Sequence, residues 1–405
     1  MKTAGASVVL AAAALLGGCG LFGGGDSTAE PPAELQPFEP TLELRRAWSA
    51  RVGGSSESLR LGLRPSSDGA RVYAGAHNGR AAALDAETGR ELWSVNTRLP
   101  LSAGPGYAAG RLAFGTTDGQ LLLLDAETGG ELWRTQVGSE VLAAPAIGGN
   151  LIALRSVDGR LRGFSVADGR ELWTVEQSSP PLIVRGDTEP AIAGTMVVAG
   201  FDNGRIGAYR LADGEPVWER PLGNPAGRTE LDRLVDVGGD LQVVGNDVFA
   251  VGYQGRAVSV DLNTGLLLWE QEVSSFSGLD VDLNRVYVTN DVGYVVALNR
   301  AGGGMQWTQE ALRLRDVTAP TRFDNTVVVG DFEGYLHWLD IDNGALLARE
   351  RAASDRISEA PIVVGASLVV QSDDGRVSAF TVVEEEEEEE EEEQEDEDEV
   401  EVEEG

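Results

Sequence analysis

The chain has 405 residues and a formal net charge of −34 at pH 7. Eighteen acidic residues lie between Glu384 and Glu404 with no basic residue among them, which leaves −16 on the rest of the chain. An acidic body lacks the basic footprint that displaces phosphate counterions, so nucleic acid is excluded as a partner. Cys19 is the only cysteine, which excludes an internal disulfide and any multi-thiolate metal site. Lys2 is the only lysine beside 31 arginines, which reads as a compositional bias and not as a functional one.

Met1-Lys2 supplies a positive start, and Val8 to Leu16 an apolar run of nine residues. That run is too short to span a bilayer as a helix and suits the core of a signal peptide. It ends in Leu16-Gly17-Gly18-Cys19, which resembles a bacterial lipoprotein signal. The resemblance implies removal of residues 1–18 and lipid on the Cys19 thiol. Gly20, standing where an Asp would favour inner-membrane retention, implies the outer membrane by the same resemblance. Residues 20–40 are rich in Gly, Pro, Ala and Glu without periodicity, and read as a flexible tether with a reach of about 25 Å.

From there a repeat governs the chain. It is plainest in GRAAALDAETGRELW (79–93), GQLLLLDAETGGELW (119–133) and GRLRGFSVADGRELW (159–173). Weaker copies begin at Gly204, Gly255, Gly293, Gly334 and Gly375, so the leading glycines are spaced 40, 40, 45, 51, 38, 41 and 41 residues apart. Within a copy, apolar runs of four to six residues are separated by Gly, Asn and Asp at fixed offsets, the signature of antiparallel strands joined by hairpins. The stretch up to the next run, for example Leu101 to Tyr107, supplies the fourth strand. Eight copies predict an all-β fold: an eight-bladed β-propeller of four-stranded antiparallel blades over residues 41–383.

Trp93, Trp133, Trp173, Trp218, Trp269 and Trp307 occupy one position in successive copies, and Ala348 replaces the indole in the seventh. These indoles read as wedges between adjacent sheets, not as ligand platforms. The eighth copy breaks off after Phe380 without an outer strand. A lone strand, Leu42 to Trp48, is predicted to complete it and close the ring from the N-terminal side.

The AxD-x-x-TG-x-x-x-W pattern resembles the tryptophan-docking repeat of pyrroloquinoline-quinone dehydrogenases and their non-enzymatic relatives. One group of relatives is similar through Val383: the BamB lipoproteins of the outer-membrane β-barrel assembly machinery. The likeness is sharpest at TELDRLVDV (229–237), GDFEGYLHWLD (330–340) and DDGRVSAF (373–380). It implies a non-catalytic scaffold without a cofactor, facing the periplasm and assisting insertion of barrel proteins. The implied partner is the set of POTRA repeats of BamA, with unfolded outer-membrane clients as further partners. The family's Leu-x-Leu-Arg contact patch falls on Leu182-Ile183-Val184-Arg185, which singles out Leu182, Val184 and Arg185. Of two family aspartates, Asp236 matches the first and Gly238 replaces the second. The two longest spacings place extra loop residues at 178–190 and 221–236, where binding surfaces on a rigid scaffold tend to lie.

Two other readings compete with this one. A quinone-dependent dehydrogenase of this repeat type often carries a vicinal disulfide over its cofactor, which one cysteine cannot form. His77 in a turn and His337 in an apolar strand show no catalytic partner pattern. The other alternative is an envelope scaffold for a different complex, or one that adds extended peptides to its sheet edges. Residues 384–405 read as a disordered, self-repelling acidic tail, because they hold almost no apolar surface to offset the entropy of ordering.

Overall fold

The structure is a computed structural model that describes residues 30–54, 59, 61–178, 188–223, 235–237 and 239–383. In the first blade, Ser66–Ser67, Arg71–Gly75, Arg80–Asp85 and Glu91–Asn96 pair antiparallel in sequence order. The second and third strands are buried along their length, whereas the fourth alternates between exposed and half-buried residues. Burial on both faces explains why RVYAG and RAAALD read as continuous apolar runs: neighbouring sheets cover each side. Seven further sheets repeat the plan, giving an eight-bladed β-propeller. Leu101–Ala108, expected as a fourth strand, pairs with Arg111–Thr116 and so forms the inner strand of blade 2. In blade 5 the inner position is split between Asp236–Val237 and Gln242–Val244, both paired with Asp247–Tyr253.

Strand alternation sorts the connections onto two faces. Turns between second and third strands share one face with the segments that run from one blade into the next. At Gly79 the two meet: its φ is +88°, and a Cβ there would lie 2.8 Å from the Leu99 carbonyl oxygen. The remaining turns lie on the opposite face. We call the first the loop face.

Closure follows the expected route. Leu44–Arg51 pairs antiparallel with Arg376–Val382, from Leu44 opposite Val382 to Arg51 opposite Arg376, with a bulge between Arg46 and Trp48. The strand starts two residues later than Leu42 because its C-terminal partner ends at Val382; beyond it the Val383 amide donates to the Glu43 carbonyl. The outer strand of blade 8 is thus the N-terminal one.

The later part of the stretch expected as a tether is held against the ring. The Ala33 amide donates to Arg313 O and the Thr41 amide to Leu347 O, both at 2.9 Å. Arg315 Nη1 donates to Ala33 O, Arg349 Nη1 donates to Gln36 O, and the Arg349 guanidinium lies 5.1 Å from the Phe38 ring centroid. From Glu30 onward, therefore, the chain is a strap along blade 7.

Candidate partner-binding surface

The repeat positions its own wedges. In seven places the indole of one blade lies against the turn glycine of the next: Trp48 on Gly89, Trp93 on Gly129, Trp133 on Gly169, Trp173 on Gly214, Trp218 on Gly265, Trp269 on Gly303 and Trp307 on Gly344. Each of the seven indole N–H groups donates to a carbonyl of that neighbouring blade at 2.7–3.1 Å. The turns are set by their aspartates: Asp85 accepts from the Thr88 amide at 2.9 Å and the Thr88 hydroxyl at 2.6 Å. The Thr88 hydroxyl and amide hold the Asp85 carboxyl below its usual range, as the matching threonines do for Asp125 and Asp261. These tryptophans and aspartates are therefore taken up by architecture.

Blade 7 departs from the rule. Opposite each docked indole on the third strand stands Ala83, Leu123, Gly163, Ala208, Ser259, Ala297 or Ala379. Opposite Ala348 stands Trp338. The bulk has crossed the strand pair. After the third strand of blade 8 the sequence holds no glycine before Gly405 for an outer indole to meet, and Trp338 instead packs edge-on to Phe380 with centroids 5.9 Å apart. Sequence reasoning saw the missing indole at 348 but not its replacement.

The histidines are structural in their surroundings. His77 Nδ1 lies 2.9 Å from Leu101 O. His337 is fully buried, its Nε2 3.0 Å from Asp331 Oδ2, while Arg349 Nε donates to its Nδ1 at 3.3 Å. That arrangement fits a neutral ring with the proton on Nε2. Burial pushes the imidazole below its ordinary value, against the opposing pull of Asp331. Asp331 also accepts from Arg315 Nε at 2.8 Å, and Arg315 pairs with Glu333, so the same network grips the strap. Among the described residues no group of three His, Cys, Asp or Glu side chains is placed to hold a metal ion.

On the loop face, the connections 177–190 and 222–235 join consecutive blades, 3 to 4 and 4 to 5; the connection 52–65, from blade 8 to blade 1, is equally long. Leu182, Val184, Arg185 and Gly238 lie outside the described residues, as does Cys19. Asp236 is described, and its position departs from a surface contact: it is 3 % exposed, at the start of the inner strand of blade 5, opposite Tyr253. It faces a cavity of about 300 Å³ also lined by Glu189, Asp240, Tyr253, Phe276 and Glu359. Lining residues precede or begin the inner strands of seven blades, which puts this cavity on the propeller axis at the loop face. Its wall is acidic, with Arg356 paired to Asp316 beside it.

Residues that sequence reasoning missed organise this region. Arg64, leading into blade 1, reaches Asp240 of blade 5 with Nη1 to Oδ2 at 3.1 Å. Blades 1 and 5 stand opposite each other in a ring of eight, so the pair crosses the axis. Burial opposes the guanidinium charge, but Asp240, Glu189, Glu359 and Asp280 together raise the Arg64 pKa. Asp240 is pushed up by burial, against the pull of Arg64. A second pair, Arg155–Asp202, is wholly buried between blades 3 and 4. The signal for it was present: Arg155 occupies the strand position held by Gly75, Gly115, Gly200 and Gly330 in other copies, and a charged residue at a glycine position needs a partner.

Comparison with known proteins agrees with this architecture. A family model described as outer membrane protein assembly factor BamB matches residues 34–98, 77–309 and 292–387. The outer membrane protein assembly factor BamB of Pseudomonas aeruginosa is 44% identical over 352 residues, covering 87% of this chain and 93% of that protein. The crystal structure of BamB from Moraxella catarrhalis superposes with a TM-score of 0.76 at 28% identity, covering 84% of this chain and all of that one. Quinohemoprotein alcohol dehydrogenase from Comamonas testosteroni, at 13% identity and a TM-score of 0.67, shares the fold alone, covering 84% of this chain and 76% of that one. A propeller closed by its own N-terminal strand, with its indoles spent on blade docking and its longest connections on one face, thus belongs to the BamB family of outer membrane protein assembly factors.

Proposed function

We propose that this chain is a non-catalytic scaffold, held by lipid on Cys19 at the periplasmic side of the outer membrane, that binds the POTRA repeats of BamA through its loop face. The observation carrying this reading is that the connections 177–190 and 222–235, on adjacent blades, return to the ring beside the acidic axial cavity of the loop face, in a chain of this family. Leu182 and Val184 supply apolar contact, and Arg185 a charge-assisted hydrogen bond. Asp236, being buried, takes part by way of the axial cavity: a basic partner group enters the acidic mouth to meet it. Lipid and the residues before Glu30 keep the ring near the membrane, which raises its effective concentration for a membrane-embedded partner. Unfolded outer-membrane clients are brought to the same place.

No reaction is assigned. A pyrroloquinoline quinone on the axis does not fit the residues present: its carboxylates would face Glu189, Asp236 and Glu359, and the Arg64–Asp240 pair crosses the centre.

The test is affinity. Arg185→Ala combined with Asp236→Asn is expected to weaken binding to a POTRA fragment roughly 10- to 100-fold, the effect of losing contacts near an interface centre. The variant must keep the wild-type thermal unfolding midpoint. Wild-type affinity in that folded variant contradicts the assigned surface. In parallel, Cys19→Ala is expected to move the chain out of the membrane fraction.

A further inference from the structure

The two connections assigned to partner binding return to the ring at stems that are joined to each other. Thr188 Oγ1, at the end of the first, donates to Val237 O at 2.6 Å, and both residues are buried. The Glu189 amide donates to Asp240 Oδ1 at 3.3 Å. Asp240 spends its other oxygen on Arg64, across the axis. One carboxylate therefore joins blade 4, blade 5 and blade 1, and Asp236 stands immediately before the Val237 anchor.

We propose that Arg64 is a positioning residue for the partner surface: by holding Asp240 from the far side of the ring, it fixes the stems 188–190 and 235–237 against each other and aims Asp236 into the axial cavity. A guanidinium suits the task, since its planar fork stays charged and keeps direction at full reach. The Arg64 and Asp240 side chains keep 28% and 27% exposure, so water reaches the pair and the coupling is moderate. The Thr188 to Val237 contact between the stems is, by contrast, local and neutral.

This inference rests on the proposed loop-face reading for its functional consequence but not for its structural one, and the experiment separates them. Arg64→Met keeps the length and removes the charge; Arg64→Lys restores charge without the fork. Hydrogen exchange of the full chain is read at the Glu189 and Val237 amides, with blade 7 amides as the control for global opening. Arg64→Met should speed exchange at Glu189 and Val237 about tenfold, with blade 7 unchanged and Arg64→Lys intermediate. POTRA affinity should fall by a similar factor, and Arg64→Met should add little to Arg185→Ala in the double variant, because one acts through the surface of the other. Unchanged local exchange in folded Arg64→Met overturns the positioning role, whatever the affinity. Faster local exchange with full affinity leaves the clasp standing as architecture and overturns its link to the partner. A wild-type chain that does not bind POTRA repeats defeats the loop-face reading and leaves the exchange result to decide the clasp.

Discussion

At the scale of single residues, shape is conserved across a strand pair and not at a position. Ala348 and Trp338 exchange the volumes that Trp93 and Ala83 hold in blade 1. Restoring the repeat's apparent consensus should therefore harm the protein: Ala348→Trp puts a second indole opposite buried Trp338 and should cost about 1–3 kcal/mol, as overpacked cores do. Denaturant unfolding measures it. The double variant Trp338→Ala with Ala348→Trp should cost less than the sum of its parts, and strict additivity contradicts the exchange of volume.

His337 makes a second prediction at this scale. An imidazole whose folded pKa lies below its ordinary 6.5 takes up its proton more readily in the unfolded chain. Its stabilising contribution is complete above 6.5 and is lost as pH falls from there. Asp331 runs in a lower window: burial pushes its carboxyl up, but the His337 hydrogen bond and the donors around it hold it below 3.8, so its contribution is lost only as pH falls beneath that. Between 6.5 and about 5, the melting temperature of the wild type should drop more steeply than that of His337→Gln. Equal slopes would remove His337 from the account.

Elements were legible to different degrees. Strand runs, glycine turns and the indole repeat could be read because each depends on local spacing, and the unpaired strand before Arg51 could be matched to the unfinished eighth copy by counting. What could not be read was pairing over long separations. The strap from Glu30 to Glu43 has a composition suited to a free linker, yet Arg313, Arg315 and Arg349 bind its backbone from far along the chain, 282 residues away for Arg315 and 313 for Arg349. The axial pair was hidden for the same reason: Arg64 and Asp240 become neighbours only when the ring closes. Asp236 was identified by likeness, but its burial follows from the split inner strand of blade 5, which no spacing announces. Closure itself is testable at this scale. Deleting residues 41–50 removes Trp48 from Gly89 and exposes the edge of Arg376–Val382, so thermal unfolding should lose its single cooperative transition or shift down by several degrees. An unchanged transition contradicts closure by that strand.

For the whole molecule, the ring is a rigid holder with two unlike faces. The loop face carries the acidic axial mouth and the connections 177–190 and 222–235; the other carries short turns such as that at Leu283, which is 85% exposed. Recognition through one face predicts a directional contact. The most direct measurement places a photo-crosslinking residue at position 185 and, separately, at position 283 of the membrane-bound chain. An adduct with the POTRA repeats of BamA from position 185 and none from position 283 is the predicted result. No adduct from 185, or equal adducts from both faces, would contradict it.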